Sequence, residues 1–193
     1  MAEKYLLQIE AERFIHNDLS NCSWDFQQRM RSQIEADDRA GLYHTMMASL
    51  VFSAFSMEAK LNFVGWRIFG RGWPERASLR EKIELLHVHL DLRWSWAERP
   101  LQTIAKLKRF RDVLAHGKPE IVDKEVEVVG KPDVWDALKG QWEQTVTPEF
   151  VDQCRTDEDH IWKCLLEKSG IQMYETLTHG GHTLKAIVEG EQA

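Results

Sequence analysis

The sequence predicts a single all-α domain over 1–193, a helical bundle with a small β-hairpin inserted near 120–130. Three observations support this. Apolar residues recur at the three- and four-residue spacing of amphipathic helices over 37–69, 79–90 and 101–116. Helix punctuation stands at their edges: Ser78 with Glu81 three residues on, Pro100, Gly117, and Thr147-Pro148. β-branched residues gather in one short place, where Ile121-Val122 and Val126-Glu127-Val128-Val129 flank Asp123-Lys124 in the manner of a hairpin.

Taken in order, residues 3–20 carry Leu6, Ile9, Phe14 and Ile15 among charges, which predicts a first helix broken at Asn21-Cys22-Ser23. A polar helix over 24–36 leads with little interruption into 37–69. There Met47, Leu50, Val51, Ala54, Leu61 and Gly65 share one face of a helical wheel. Glu58 falls in the middle of that face and Asn62 lies one turn on. A carboxylate on an apolar stripe is costly to bury unless a cation or hydrogen bond meets it. Glu58 is therefore expected to have a partner, either Arg111 or a backbone amide.

Gly70-Arg71-Gly72-Trp73-Pro74 reads as a loop. Ser78 and Glu81 then form a capping-box spacing ahead of Leu79, Ile83, Leu86 and Leu90. His87 and His89 point to different sides of that helix, which makes them core or surface histidines rather than joint ligands. Trp94 and Trp96 read as packing residues. Pro100 suits the first position of a helix running through Ile104, Leu107, Phe110 and Leu114 to His116. Residues 133–170 read as one or two helices carrying Val134, Trp135, Leu138, Phe150, Val151, Ile161, Leu165 and Leu166, divided at Thr147-Pro148. Asp157, His160 and Cys164 share a helical face at i, i+3 and i+7, but no fourth ligand is nearby and no metal is expected. From 171 on, including His179-Gly-Gly-His182, the chain reads as a short strand or a tail.

Composition narrows the function. Hydrophobic content of 43% and charged content of 29% are ordinary for a soluble globular domain with a sizeable core. Three cysteines (Cys22, Cys154, Cys164) cannot all pair, which suits a reducing, cytoplasmic setting. The first residues contain acids and no apolar h-region, so no signal peptide is expected. No apolar run approaches the roughly 18 residues of a membrane span, and no membrane partner is expected. A net charge of −6 argues against a generic nucleic-acid coat. Yet from Arg99 to Arg111 stand five basic residues (Arg99, Lys106, Lys108, Arg109, Arg111) and no acid.

That basic stretch leads into RFRDVLAHGK, residues 109–118. Arg111, Asp112 and His116 are grouped beside the apolar stripe at a helix end closed by Gly117. An arginine, a carboxylate and a histidine so grouped form a compact acid–base and anion-binding set. The macrodipole also favours Arg and His in a last turn, and Gly is the usual residue just beyond.

Arg111, the polar Asp112, three residues and then His116 resemble the Arg-polar-x3-His signature of the HEPN superfamily, small all-α domains of RNA-cutting toxins and defence proteins. Residues 43–65, YHTMMASLVFSAFSMEAKLNFVG, are similar to that family's long first core helix with its acid and Asn one turn apart. Residues 79–118 resemble the stretch leading to the motif, so the likeness spans 42–118; the hairpin and C-terminal helices of 119–193 match no motif.

The resemblance implies a metal-independent endoribonuclease without a cofactor. Its 2′-hydroxyl attacks the adjacent phosphate to leave a 2′,3′-cyclic phosphate. His116 is then the general acid–base group, the side chain that titrates near neutrality. Arg111 stabilises the phosphorane, and Asp112, one turn before His116, orients the ring. Glu58 and Asn62 support the site, and Lys108, Arg109 and Lys118 hold the RNA backbone. Arg109 also precedes His116 at a permitted longer spacing. Some HEPN toxins carry a modifiable Tyr two residues after the His, where this chain has Lys118. Arg111 and His116 are five apart, about 140° around a regular helix, so one chain does not aim both at one phosphate. The family's homodimer, with a cleft shared by two motifs, answers that geometry. An antitoxin or effector partner also belongs to the family picture. Two competing readings are a non-catalytic dimeric HEPN module binding RNA, nucleotide or protein, and an unrelated helical protein docking through its tryptophans.

Overall fold

The computed structural model describes residues 5–123, 125 and 138–188. Five α-helices among them form a bundle: α1 (His16–Glu35), α2 (Leu42–Phe69), α3 (Leu79–His89), α4 (Leu101–His116) and α5 (Pro148–Ser169). Two strands, β1 (Tyr5–Arg13) and β2 (His179–Val188), pair antiparallel, with Ile9 opposite Leu184. The domain is thus mostly helical with one small sheet.

The 28-residue α2 is the axis of the bundle, lying along α1 and touching α3, α4 and α5. Its Leu50, Met57, Leu61 and Val64 are fully buried at helical spacing, and they meet Ile83 and Leu86 of α3, Ile104 and Leu107 of α4, and Ile161 and Leu165 of α5. Late in α2, Gly65 lets the buried Trp73 ring lie flat on the helix: a Cβ there would stand 2.2 Å from a ring carbon. Trp73 is fixed by its indole N–H, which donates to Asn62 Oδ1 at 3.1 Å.

Helix punctuation at Ser78, Thr147 and Gly117 behaves as the sequence predicts. Ser78 Oγ accepts from the Glu81 amide at 3.3 Å, and the Glu81 carboxylate accepts from the Ser78 amide at 2.7 Å. Thr147 Oγ1 accepts from the Phe150 amide at the start of α5. Gly117, at φ 55°, closes α4 in the left-handed conformation. Pro100 caps α4 from one residue outside the helix instead of serving as its first turn.

The N-terminal expectation is overturned. Residues 5–13 are a strand, because Leu7, Ile9 and Ala11 alternate at period two and find a partner strand in β2. α1 begins at His16 and passes through Asn21-Cys22-Ser23 unbroken. Ser23 does not interrupt it because its hydroxyl is used across the bundle: Ser23 Oγ donates to Ser49 O at 3.1 Å, and Ser49 Oγ returns to Ser23 O at 2.9 Å. The true interruption lies at 36–41, where Asp37 (φ 51°) and Gly41 (φ 69°) turn the chain back, so α2 starts at Leu42. The hairpin expected near 120–130 falls mostly on Lys124 and 126–130, outside the described residues, where Val134 and Trp135 also lie; Ile121 and Val122 have no regular structure. Residues from 179 take the strand alternative.

Among the described residues one ion pair has both side chains buried. Glu158 of α5, fully buried, accepts from Lys60 Nζ at 2.8 Å, Ser53 Oγ at 2.7 Å and Ser56 Oγ at 2.5 Å. His16 packs nearby against Phe63 and Trp162, its ring tilted to both. Burial, and then the Lys60 charge, push its pKa down to about 4. Among the described residues no helix is long and apolar enough to cross a membrane.

Candidate functional site

The core face of α4 fixes where its polar residues go. Leu101, Ile104, Leu107 and Phe110 are buried, which leaves Arg111 on the flank toward α2 and turns Lys108, Asp112 and His116, spaced four apart, outward along one ridge. His116 is the last helical residue and stands exposed beside Gly117.

As the sequence predicts, Glu58 meets Arg111. Arg111 Nη2 donates to Glu58 Oε2 at 3.0 Å, and the second oxygen, Oε1, accepts from Lys82 Nζ at 3.1 Å. Lys82 was not singled out by sequence. Its signal is a lysine placed among Leu79, Ile83 and Leu86 on the apolar face of α3, where its side chain is fully buried. A lysine in that position needs a carboxylate, and Glu58 is that carboxylate.

The string continues. Arg111 Nη1 lies 3.1 Å from Asp112 Oδ1 in an ion pair, and Asp112 Oδ2 accepts from Lys108 Nζ in a short contact. Lys82, Glu58, Arg111, Asp112 and Lys108 thus run as alternating charges across α3, α2 and α4, three cations against two carboxylates. Arg111 Nε is buried and has no hydrogen-bond partner among the described residues. All members but Lys82 are about one-third exposed, so each pair is expected to stabilise the fold by no more than about 1 kcal/mol.

Asp112 does not orient His116. Its carboxylate turns back toward Lys108 and sideways to Arg111, because two cations outcompete a ring one turn ahead. The imidazole makes no hydrogen bond among the described residues and is open to solvent. It borders a cleft of about 450 Å³, with Lys108, Arg109, Asp112 and Lys118 around an apolar floor of Ala105 and Val113. The structure therefore gathers His116, Asp112, Lys108, Arg109 and Lys118 on one surface. Arg111 and Glu58 lie on the flank behind it, joined to the cleft through Asp112. Asn62 is apart from the string and is held by Trp73.

The arrangement combines a free imidazole, a positive rim, and an arginine whose neighbouring carboxylate faces the cleft. It suits proton transfer beside a bound anion. The candidate metal trio is otherwise engaged: both Asp157 oxygens accept from Arg99 at 2.9 Å, and His160 is exposed. No family model matches the chain, and neither a curated protein nor a solved structure matches it.

Proposed function

We propose that the chain is a HEPN-type domain acting as a metal-independent endoribonuclease. What supports this reading most is the Glu58–Arg111 ion pair at 3.0 Å. It ties the acid of the long apolar helix to the arginine of the Arg-polar-x3-His motif, while His116 of that motif stands free in a cationic cleft.

In this reading Lys108, Arg109 and Lys118 attract the phosphates of single-stranded RNA without reading bases. His116 accepts the proton of the 2′-hydroxyl as its oxygen attacks the adjacent phosphorus. The bond from phosphorus to the 5′ oxygen breaks, the leaving oxygen takes up a proton, and a 2′,3′-cyclic phosphate remains. Arg111 meets the growing charge on the phosphorane by exchanging Asp112 for phosphate at Nη1, with Glu58 holding Nη2 in place. Within one chain Arg111 and His116 open to different sides of α4, so the active unit is a homodimer that pairs the two motifs across one cleft.

The test is cleavage of fluorescent RNA in excess EDTA by wild type and His116→Ala. The expected result is cyclic-phosphate ends from wild type and a loss of roughly 10²–10⁴-fold in the variant. Equal cleavage by both, or none by wild type over structured and unstructured RNAs, overturns the reading. A second reading, a dimeric module that binds RNA, nucleotide or protein without cutting, draws on the two carboxylates that already lie against the Nη atoms of Arg111. It predicts RNA binding that survives in His116→Ala.

A further inference from the structure

A second cleft, of about 300 Å³, adjoins the one that His116 borders. The two share Arg109 and Val113 and lie on either side of that pair around α4. The far wall of the second cleft is the turn 140–145. Trp142 stands in this wall, half-buried, with Tyr43 of α2 against it, ring centroids 6.2 Å apart and planes at 64°. Hydrogen bonds hold the wall in shape. Glu120 Oε1 accepts from the Gln141 amide at 2.8 Å, Glu143 Oε2 accepts from the Gly140 amide at 2.9 Å, and Thr145 Oγ1 donates to Gln141 O at 3.1 Å. Both carboxylates are thereby turned to backbone, and the cleft is lined by the cations Lys106 and Arg109 and by no acid.

We propose that this second cleft takes a nucleobase of single-stranded RNA whose phosphate lies in the first. The groups that a base would need are present and unused. Among the described residues Arg109 and the Gln141 carboxamide have no hydrogen bond or ion pair, and Gln144 Nε2 alone of its amide group is engaged, on Lys139 O at 3.0 Å. An indole gives a flat π-surface for stacking, and a carboxamide offers a donor and an acceptor side by side, as a base edge does. A purely apolar ligand would leave both carboxamides unpaired. The volume stands at the low end of the roughly 300–1,000 Å³ of ligand pockets, which suits one base rather than a folded partner.

The shared residues say how base and phosphate divide. Arg109 stands between the clefts as a cation for the backbone that crosses it, and Val113, 38% exposed, gives both an apolar floor. A nucleotide seated with its base on one side of this ridge and its phosphate on the other cannot slide along α4. Its bound base must also be unstacked and unpaired, so the substrate class is single-stranded RNA or a loop, not a duplex. The inference rests on the ribonuclease reading for what fills the first cleft; the second is argued from its own walls.

Fluorescence anisotropy at low salt tests it with two labelled probes that lack the attacking hydroxyl: a mixed-sequence 2′-deoxy oligonucleotide, and an abasic strand of equal length. Wild type should bind the base-bearing probe tighter by roughly 5–100-fold. Trp142→Ala should lose that advantage and leave abasic binding unchanged, a split that a merely structural role for Trp142 would not give. Should Trp142→Ala fail to fold by circular dichroism, Trp142→Phe replaces it: the base-bearing probe should quench the tryptophan emission of wild type and not that of the variant. No binding, equal binding of both probes by wild type, an unaltered preference in folded Trp142→Ala, or equal quenching in Trp142→Phe overturns the proposal. The expected split in a protein that leaves RNA uncut sinks the ribonuclease reading and keeps the base subsite. RNA cleavage that depends on His116, with no such split, does the reverse.

Discussion

Glu58 and Lys60 stand two residues apart on α2, point to opposite sides of it, and enter two very different ion pairs. Lys60 meets Glu158 in the interior, where both side chains are almost wholly buried and two serine hydroxyls complete the carboxylate's hydrogen bonds. Glu58 meets Arg111 at the surface, in a string whose members are partly open to water and whose arginine keeps an unpaired Nε–H. The interior pair leaves no donor for a ligand and no path to one, so its role is to fix how α2 and α5 pack. The surface string has exchangeable partners and ends at a cleft. Saturation of hydrogen-bonding capacity separates structural charge from functional charge more clearly than residue type does.

Substitutions can break or sharpen this contrast. Glu158→Gln leaves the Lys60 ammonium buried without a counter-charge and should cost about 3–5 kcal/mol by urea unfolding. Lys60→Met in the same chain should recover part of that loss, and an unchanged melt for Glu158→Gln would erase the distinction. A smaller effect comes from His16. Its folded pKa, about 4, lies below the ordinary 6.5, so the unfolded chain takes up the proton first. Stability is then full above pH 6.5 and falls as pH drops toward 4, by roughly 2–3 kcal/mol. His16→Phe, placed among Phe14, Phe63 and Trp162, should flatten that slope relative to wild type. The smallest stability effect belongs to the surface string. Arg111→Met should cost at most about 1 kcal/mol, because Glu58 keeps Lys82 and water reaches the rest. Cleavage should nonetheless fall by roughly 10²–10³-fold; a stability loss as large as that of Glu158→Gln would make Arg111 a packing residue instead.

Much of the surface string was legible in the sequence. Glu58 interrupts an apolar stripe, and α4's spacing puts Arg111 on the flank that faces it, so the pair follows from two helical wheels. Lys82 was equally legible, as a lysine flanked by Leu79, Ile83 and Leu86. The interior pair was not. Glu158 sits between Asp157 and Asp159, Asp157 is buried as well, and only the rotation of α5 against α2 decides which acid meets Lys60. The partnership of Asp112 also escaped, because helical spacing allowed His116 as readily as Lys108, and the choice turned on charge. β1 was hidden for a different reason. Its apolar residues fit helical spacing as well as alternation, and its pairing partner lies at the other end of the chain.

That last separation has a kinetic meaning. β1 and β2 are joined to each other through everything between Arg13 and His179, and Phe14 N–H bonds to Thr178 O at their root. Closing a loop of that length from an unfolded chain costs about 4–5 kcal/mol in entropy, more than a two-stranded ribbon returns on its own. The ribbon can close only after α1 and α5 have brought its ends together. Amide exchange in β1 should therefore report the integrity of the whole bundle, a latch that holds only while the box is shut.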